Sequence, residues 1–263
     1  MNFYSRITLA LFMGLTVIIS SCKKDEIPNP VLPTEPNAES GMFKIEFEHL
    51  YNSAAFSLNS AFTTSEGEEV TWTKLNYYIS NIQLTKTDGS TWAEPESYRL
   101  VKLEDPISTL ITINNVPKGQ YTGMSFSIGV DSTRNVSGVQ TGALDPANEM
   151  FWSWNNGYIF VKSEGTSPQS ANGTFSYHLG GFKNANSSNA IQNLNYNFGS
   201  STLDIQPNAA PQIHMTVAVD HFFSHNGSTL KVADLSMLHM PGSMAVGIAT
   251  RFASGFTFDH IHN

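Results

Sequence analysis

The feature that most constrains this chain is a series of short segments in which apolar side chains recur at every second position, separated by turn residues. A period of two places alternate side chains on opposite faces of an extended strand. Phe43, Ile45, Phe47 and His49 alternate with Lys44, Glu46 and Glu48, a half-buried strand with His49 on the inward phase. Ile213, Met215, Val217 and Val219 repeat the pattern, as do Phe175, Tyr177 and Leu179, which leave Ser176 and His178 facing the other way. Strands are also expected at Glu69 to Trp72, at Leu75 to Leu84 before an Asp88-Gly89 turn, and at Tyr98 to Leu103. Leu110 to Ile113 and Tyr121 to Gly129 flank Val116-Pro117-Lys118-Gly119, which reads as the turn of a hairpin. Phe182 to Asn193 reads as loop. No 3.6-residue period is long enough for a major helix; a short one is expected around Ala233 to Leu238 or Ala245 to Arg251. The pattern predicts an all-β chain, an antiparallel β-sandwich or barrel-like single domain with long loops and little helix.

The N-terminus reads differently. Arg6 precedes an apolar run from Ile7 to Ile19, too short for a membrane span and in keeping with a signal peptide over residues 1–21. Ile19-Ser20-Ser21-Cys22 looks like a lipobox, which makes Cys22 the lipidation candidate. As the sole cysteine it can form no disulfide within the chain, and once acylated it can supply no thiolate to a metal. Lys23-Lys24-Asp25-Glu26 resembles the acidic export tag of Bacteroidetes-type lipoproteins; its plainer reading is the start of a solvated tether. Pro28, Pro30, Pro33 and Pro36 make residues 22–41 an extended tether, leaving 42–263 as the β-domain. The expected location is the cell envelope, on an outer-membrane lipid anchor, facing the periplasm or the cell surface. A formal charge of −8 argues against nucleic acid as a partner.

The stretch Ser127 to Lys162 carries a loop rich in Gly, Ser and Asn, then Met150-Phe151-Trp152-Ser153-Trp154 and an Asn155-Asn156-Gly157 turn. On a strand, Trp152 and Trp154 share a face, and by residue type alone a core aromatic pair is the simpler reading. The pattern Trp152, Trp154, Gly157, Tyr158 nevertheless resembles the signature of the MbnP-like family of periplasmic copper-binding proteins. So do Gly129-Val130-Asp131, Gly142-Ala143-Leu144-Asp145-Pro146, Tyr78-Ile79-Ser80-Asn81-Ile82-Gln83-Leu84 and Tyr177-His178-Leu179-Gly180. The resemblance implies that the first tryptophan of the pair, Trp152, is oxidised to kynurenine. It further implies that the product helps hold one copper ion, and that a partner dihaem protein related to cytochrome c peroxidases performs the oxidation. Where proteobacterial members carry an Asn-His pair, this chain reads Asn135-Val136.

Copper ligands must then be sought among eight dispersed histidines. Imidazole suits copper. The candidates are His49, His178 and the C-terminal His260 and His262, which form a His-x-His that on a strand points to one side. Convergence of His49, His178 and His260 beside Trp152 is the specific expectation, with His214, His221 and His225 ranked lower. Taken singly, each has a plainer reading, as a hydrogen-bonded core imidazole or a solvated chain end. Met237, Met240 and Met244 around His239 offer soft thioethers or ordinary packing. Asp131, Asn135 and Asp145 read as turn caps or oxygen ligands for calcium.

No Gly-x-Ser-x-Gly, phosphate-binding Gly-rich loop or His-Glu-x-x-His is present, so the chain reads as a binding protein rather than an enzyme. The competing reading is a non-metal surface module for a glycan or protein ligand, with Tyr51, Trp72, Trp92 and Tyr158 as stacking platforms. That reading requires exposed rings.

Overall fold

Alternation along the chain builds two curled sheets that close on one apolar core. The computed structural model describes residues 39–138, 140–152, 157–183 and 188–263. The signal-like segment, Cys22, the tether up to residue 38 and Trp154 lie outside the described residues. Residues 36–263 cluster as one unit.

The smaller sheet is organised on β1 (Ser40–Tyr51), which buries Phe43, Ile45, Phe47, His49 and Tyr51 on one face. The strand begins three residues ahead of its apolar alternation, because Ser40 and Gly41 already pair with Pro117 and Val116. The larger sheet is organised on the 18-residue β2 (Glu69–Lys86). Sequence reading splits this strand at Thr73-Lys74, where the inward phase changes from Val70 and Trp72 to Leu75 and Tyr77. The structure keeps it whole through a bulge: Trp72 faces Gly165 and Lys74 faces Glu164, so Thr73 is the extra residue. On β2, Asn76–Ser80 pairs with β3 (Tyr98–Lys102).

The expected hairpin around Val116-Pro117-Lys118-Gly119 does not form. β4 (Leu110–Pro117) pairs with β1, whereas β5 (Gly119–Ile128) pairs with β2, so the turn carries the chain from one sheet to the other. Beyond the short helix α1 (Ser132–Val136) and the two-residue β6 (Phe151–Trp152), β7 (Gly157–Thr166) lies against the first half of β2, and β8 (Thr174–Gly180) lies against β7. β9 (Gln192–Asn197), inside and beyond the stretch read as loop, and β10 (Leu203–Ile205) pair with β5. β11 (Gln212–Ala218) returns to the smaller sheet parallel to β1. β12 (Met237–Leu238) adds to β8 in parallel, so both sheets are mixed where antiparallel ones were expected. α2 (Ser243–Ser254) fills the second of the two expected helical positions, and β13 (Phe256–His262) closes the smaller sheet beside β11. The fold is an all-β sandwich with little helix.

Aromatic edges lock the core. Phe47 meets Tyr77, Phe126 and Phe256 at 6.3, 6.0 and 5.9 Å, all edge-on, the arrangement ring quadrupoles favour. A second apolar layer lies over the outer face of the larger sheet, where Tyr78, Leu144, Met150, Phe151 and Tyr158 gather beneath the loop that follows β5.

Candidate metal-binding sites

Strand phase sets the surroundings of His49, His178, His214, His260 and His262. His49 has the inward phase of β1 and lies in the core, its Nε2 3.0 Å from Tyr77 Oη. Burial lowers its pKa from 6.5 to about 4, so the imidazole is neutral at physiological pH. It is a hydrogen-bonded core histidine.

Trp152 belongs to the outer layer. It pairs with Gly157 of β7 and is 5% exposed. The benzo edge of its indole packs on Gly180: a Cβ built there would come within 2.8 Å of Trp152 Cζ3 and 2.5 Å of the Tyr158 carbonyl oxygen. A residue other than glycine would push the indole away. Gly180 and His178, two apart on β8, point to the same face, so the indole and the His178 imidazole share one side of the larger sheet.

His178 is not alone there. Parallel pairing of Ser176 with Met237 brings His239 alongside, and the two rings stack at 3.9 Å, 10° from parallel. His178 Nε2 is 2.7 Å from Glu164 Oε1, and Ser176 Oγ is 2.7 Å from His239 Nε2. The bond from His178 holds the Glu164 carboxyl below its usual range, while burial and the neighbouring His178 lower His239, favouring its neutral, ligand-competent form. Met237, Met240 and Met244 are exposed in the same stretch of chain.

The loop over this face is pinned by buried polar contacts. Asn135 Oδ1 accepts the Tyr158 N–H at 2.9 Å and its Nδ2 donates to the Val130 carbonyl. Tyr78 and Tyr158 hydroxyls donate to the carbonyls of Ala143 and Leu144 at 2.9 and 2.8 Å. Asp131 caps α1, and Asp145 caps the 3₁₀ turn Pro146–Asn148, which assigns both carboxylates to turn capping.

His260 and His262 lie elsewhere, on the outer face of the smaller sheet at its β13 edge, with His214 of β11 between them and β1. The ligand atoms of these three imidazoles all lie within 4.8 Å of one another. His221 and His225 form a further pair, with rings 4.1 Å apart. Seven of the eight histidines therefore contact another imidazole.

The expected meeting of His49, His178 and His260 beside Trp152 does not occur. The core encloses His49, and His260 belongs to the other sheet; of the three, only His178 shares Trp152's face. His178 lies on β8 of the larger sheet, whereas His214 and His260 are paired on β11 and β13 of the smaller one. Sequence reasoning missed the contribution of His239 and ranked His214 low, because both acquire their partners through strand pairing that no local spacing signals.

The platform reading fares poorly: Tyr51, Trp72 and Tyr158 are buried, and Trp92 packs partly against the core.

The molecule is thus a two-sheet β protein that gathers imidazoles on its outer faces. The MbnP family profile matches residues 40–241, and the chain belongs to that family. The solved structure of MbnP from Methylosinus trichosporium aligns with a TM-score of 0.47 and 14% identity, over 79% of this chain and 87% of that one. No curated protein matches the sequence significantly.

Proposed function

We propose that this chain is a cell-envelope lipoprotein that binds one copper ion for copper homeostasis, using imidazoles and a kynurenine formed from Trp152. The observation that carries the reading is the indole of Trp152 seated on Gly180, on the face of the larger sheet that also bears the stacked His178–His239 pair. Family membership supports it, since the MbnP-like resemblance implies a copper site of this composition.

The donor set suits the metal. Two imidazoles supply nitrogen, and the exposed thioethers of Met237 and Met240 offer soft sulfur suited to the reduced ion. Indole nitrogen is a poor ligand, because its lone pair belongs to the ring. Oxidative cleavage of the indole C2–C3 bond, with C2 lost as formate, leaves a ketone and a free aniline nitrogen that can donate. The oxidising equivalents are assigned to the partner dihaem protein. Glu164, held against His178, fixes that ring as metal-ligating histidines commonly require. Cys22 is assigned the lipid anchor and no ligand role, and the protein is assigned binding rather than catalysis.

The test is intact mass and metal analysis of protein extracted from native membranes. Conversion of Trp152 gains one oxygen and loses one carbon, and copper should survive dialysis. Trp152→Phe should lose both. A Trp152→Phe chain that retains copper as well as the parent ends the kynurenine proposal.

A further inference from the structure

The three histidines at the β13 edge carry an inference that the Trp152 site does not. We propose that His214, His260 and His262 form a second metal site, which takes a divalent first-row cation, Zn²⁺ or Cu²⁺, through three imidazole nitrogens. It is independent of the copper site proposed above.

The site is built by a bulge. Phe256 and Phe258 turn toward the core, and uninterrupted alternation would send His260 and His262 the same way. The register shifts instead: Phe258 faces Met215 while His260 faces His214, so Asp259 is an extra residue on β13. One inserted residue moves everything after it to the opposite face. Ile261 thereby turns inward against Ile213, and His260 and His262 turn outward beside His214. The His214 and His260 rings stack at 4.4 Å, and His262 stands edge-on to them at 4.9 and 4.6 Å.

Neighbouring carboxylates select the ligand nitrogens. Asp259 Oδ2 lies 2.8 Å from His260 Nδ1, and Glu46 Oε2 lies 3.1 Å from His214 Nδ1. A carboxylate on Nδ1 places the proton there and leaves the Nε2 lone pair for a metal. Gln212 Nε2 lies 3.0 Å from His214 Nε2, where its N–H donates to that lone pair. His260 Nε2 and His262 Nε2 lie 2.9 Å apart. Ligands on a tetrahedral ion with metal–nitrogen bonds of about 2.0 Å are separated by about 3.3 Å. A small rotation of two exposed side chains makes that room. Three imidazoles leave a fourth position open to water or to an exchanging ligand.

His260 and His262 lie beyond residues 40–241, the part of the chain the family profile matches. An ion bound here joins β13 to β11 at the open edge of the smaller sheet, where it exchanges readily with solvent.

The experiment is titration of the full folded chain with Zn²⁺ alone and with Cu²⁺ alone, by calorimetry, alongside thermal melts. The parent should bind one Zn²⁺ and melt at higher temperature with it. His260→Ala/His262→Ala and His214→Gln should each lose that ion and that shift while melting like the metal-free parent. Glu46→Gln should weaken Zn²⁺ by about ten-fold. Trp152→Phe and His178→Ala/His239→Ala should keep the Zn²⁺ site intact, which separates this proposal from the copper reading. Zn²⁺ affinity unchanged in both triad variants, or absent from the parent, overturns the proposal.

Discussion

The Trp152 face and the β13 edge both gather imidazoles, and they do so by opposite means. At Trp152 the indole is buried: Gly180 lets it lie against backbone, and Asn135, Tyr78 and Tyr158 pin the neighbouring loop. At the β13 edge a single bulge turns two histidines into solvent beside a third, with carboxylates behind two of the rings. Preorganisation under cover suits a ligand that must be made once and then hold an ion tightly. An exposed cluster with an open coordination position suits an ion that comes and goes. The two imidazole groups belong to different sheets, His178 to β8 of the larger one and His214, His260 and His262 to β11 and β13 of the smaller.

The largest effect that sharpens this contrast is crossed loss of metal. Trp152→Phe should abolish retention of copper through dialysis against a chelator and leave Zn²⁺ at the β13 edge untouched; His260→Ala/His262→Ala should do the reverse. Loss of both metals in either variant would mean that the two regions are coupled.

Next comes the core between them. The His49 imidazole titrates near 6.5 in the unfolded chain and only at about 4 in the folded one, because burial penalises its charge. The unfolded state therefore binds the extra proton between those values. Stability contributed by neutral His49 is complete above about pH 6.5, falls as pH drops toward 4, and is flat below that. At 1.36 kcal/mol per pH unit the total is about 3 kcal/mol. His49→Gln, which keeps a polar partner for Tyr77 Oη, should flatten that part of the curve in urea unfolding followed from neutral to acidic pH. A parent whose stability does not change over this interval would contradict the assignment.

Smaller effects probe the covered face. Gly180→Ala drives a methyl into the Tyr158 carbonyl and the Trp152 ring and should cost about 1–3 kcal/mol, read as a lower urea midpoint together with a shifted Trp152 emission. Asn135→Ala leaves the buried Tyr158 N–H without its acceptor and should cost a similar or smaller amount, about 1–3 kcal/mol, while Zn²⁺ binding at the β13 edge stays as in the parent.

Much of the fold was legible because period-two alternation survives wherever a strand has one wet face. β1, β8 and β11 read directly from Phe43, Phe175 and Ile213 onward. Reading failed where a bulge or a crossover intervened. Thr73 shifts the phase of β2 and makes one strand look like two. A Val-Pro-Lys-Gly turn has the same spacing whether it joins neighbours in one sheet or passes between two sheets, and here it passes between them. The sites divide along the same line. His260 and His262, two apart, announced themselves as a pair. Their third member, His214, is set by register, as is His239 beside His178. His49 misled because an inward phase marks a core position as readily as a ligand, and here Tyr77 is its partner.

The central claim is that the outer face bearing Trp152, His178 and His239 is where this protein holds copper. Peptide mapping of the native, membrane-extracted chain, paired with copper analysis after chelator dialysis, tests it most directly. The account predicts kynurenine at position 152 and one retained copper per chain, with the copper lost in His178→Ala/His239→Ala made in the native host. An intact indole at 152 together with no retained copper would contradict it.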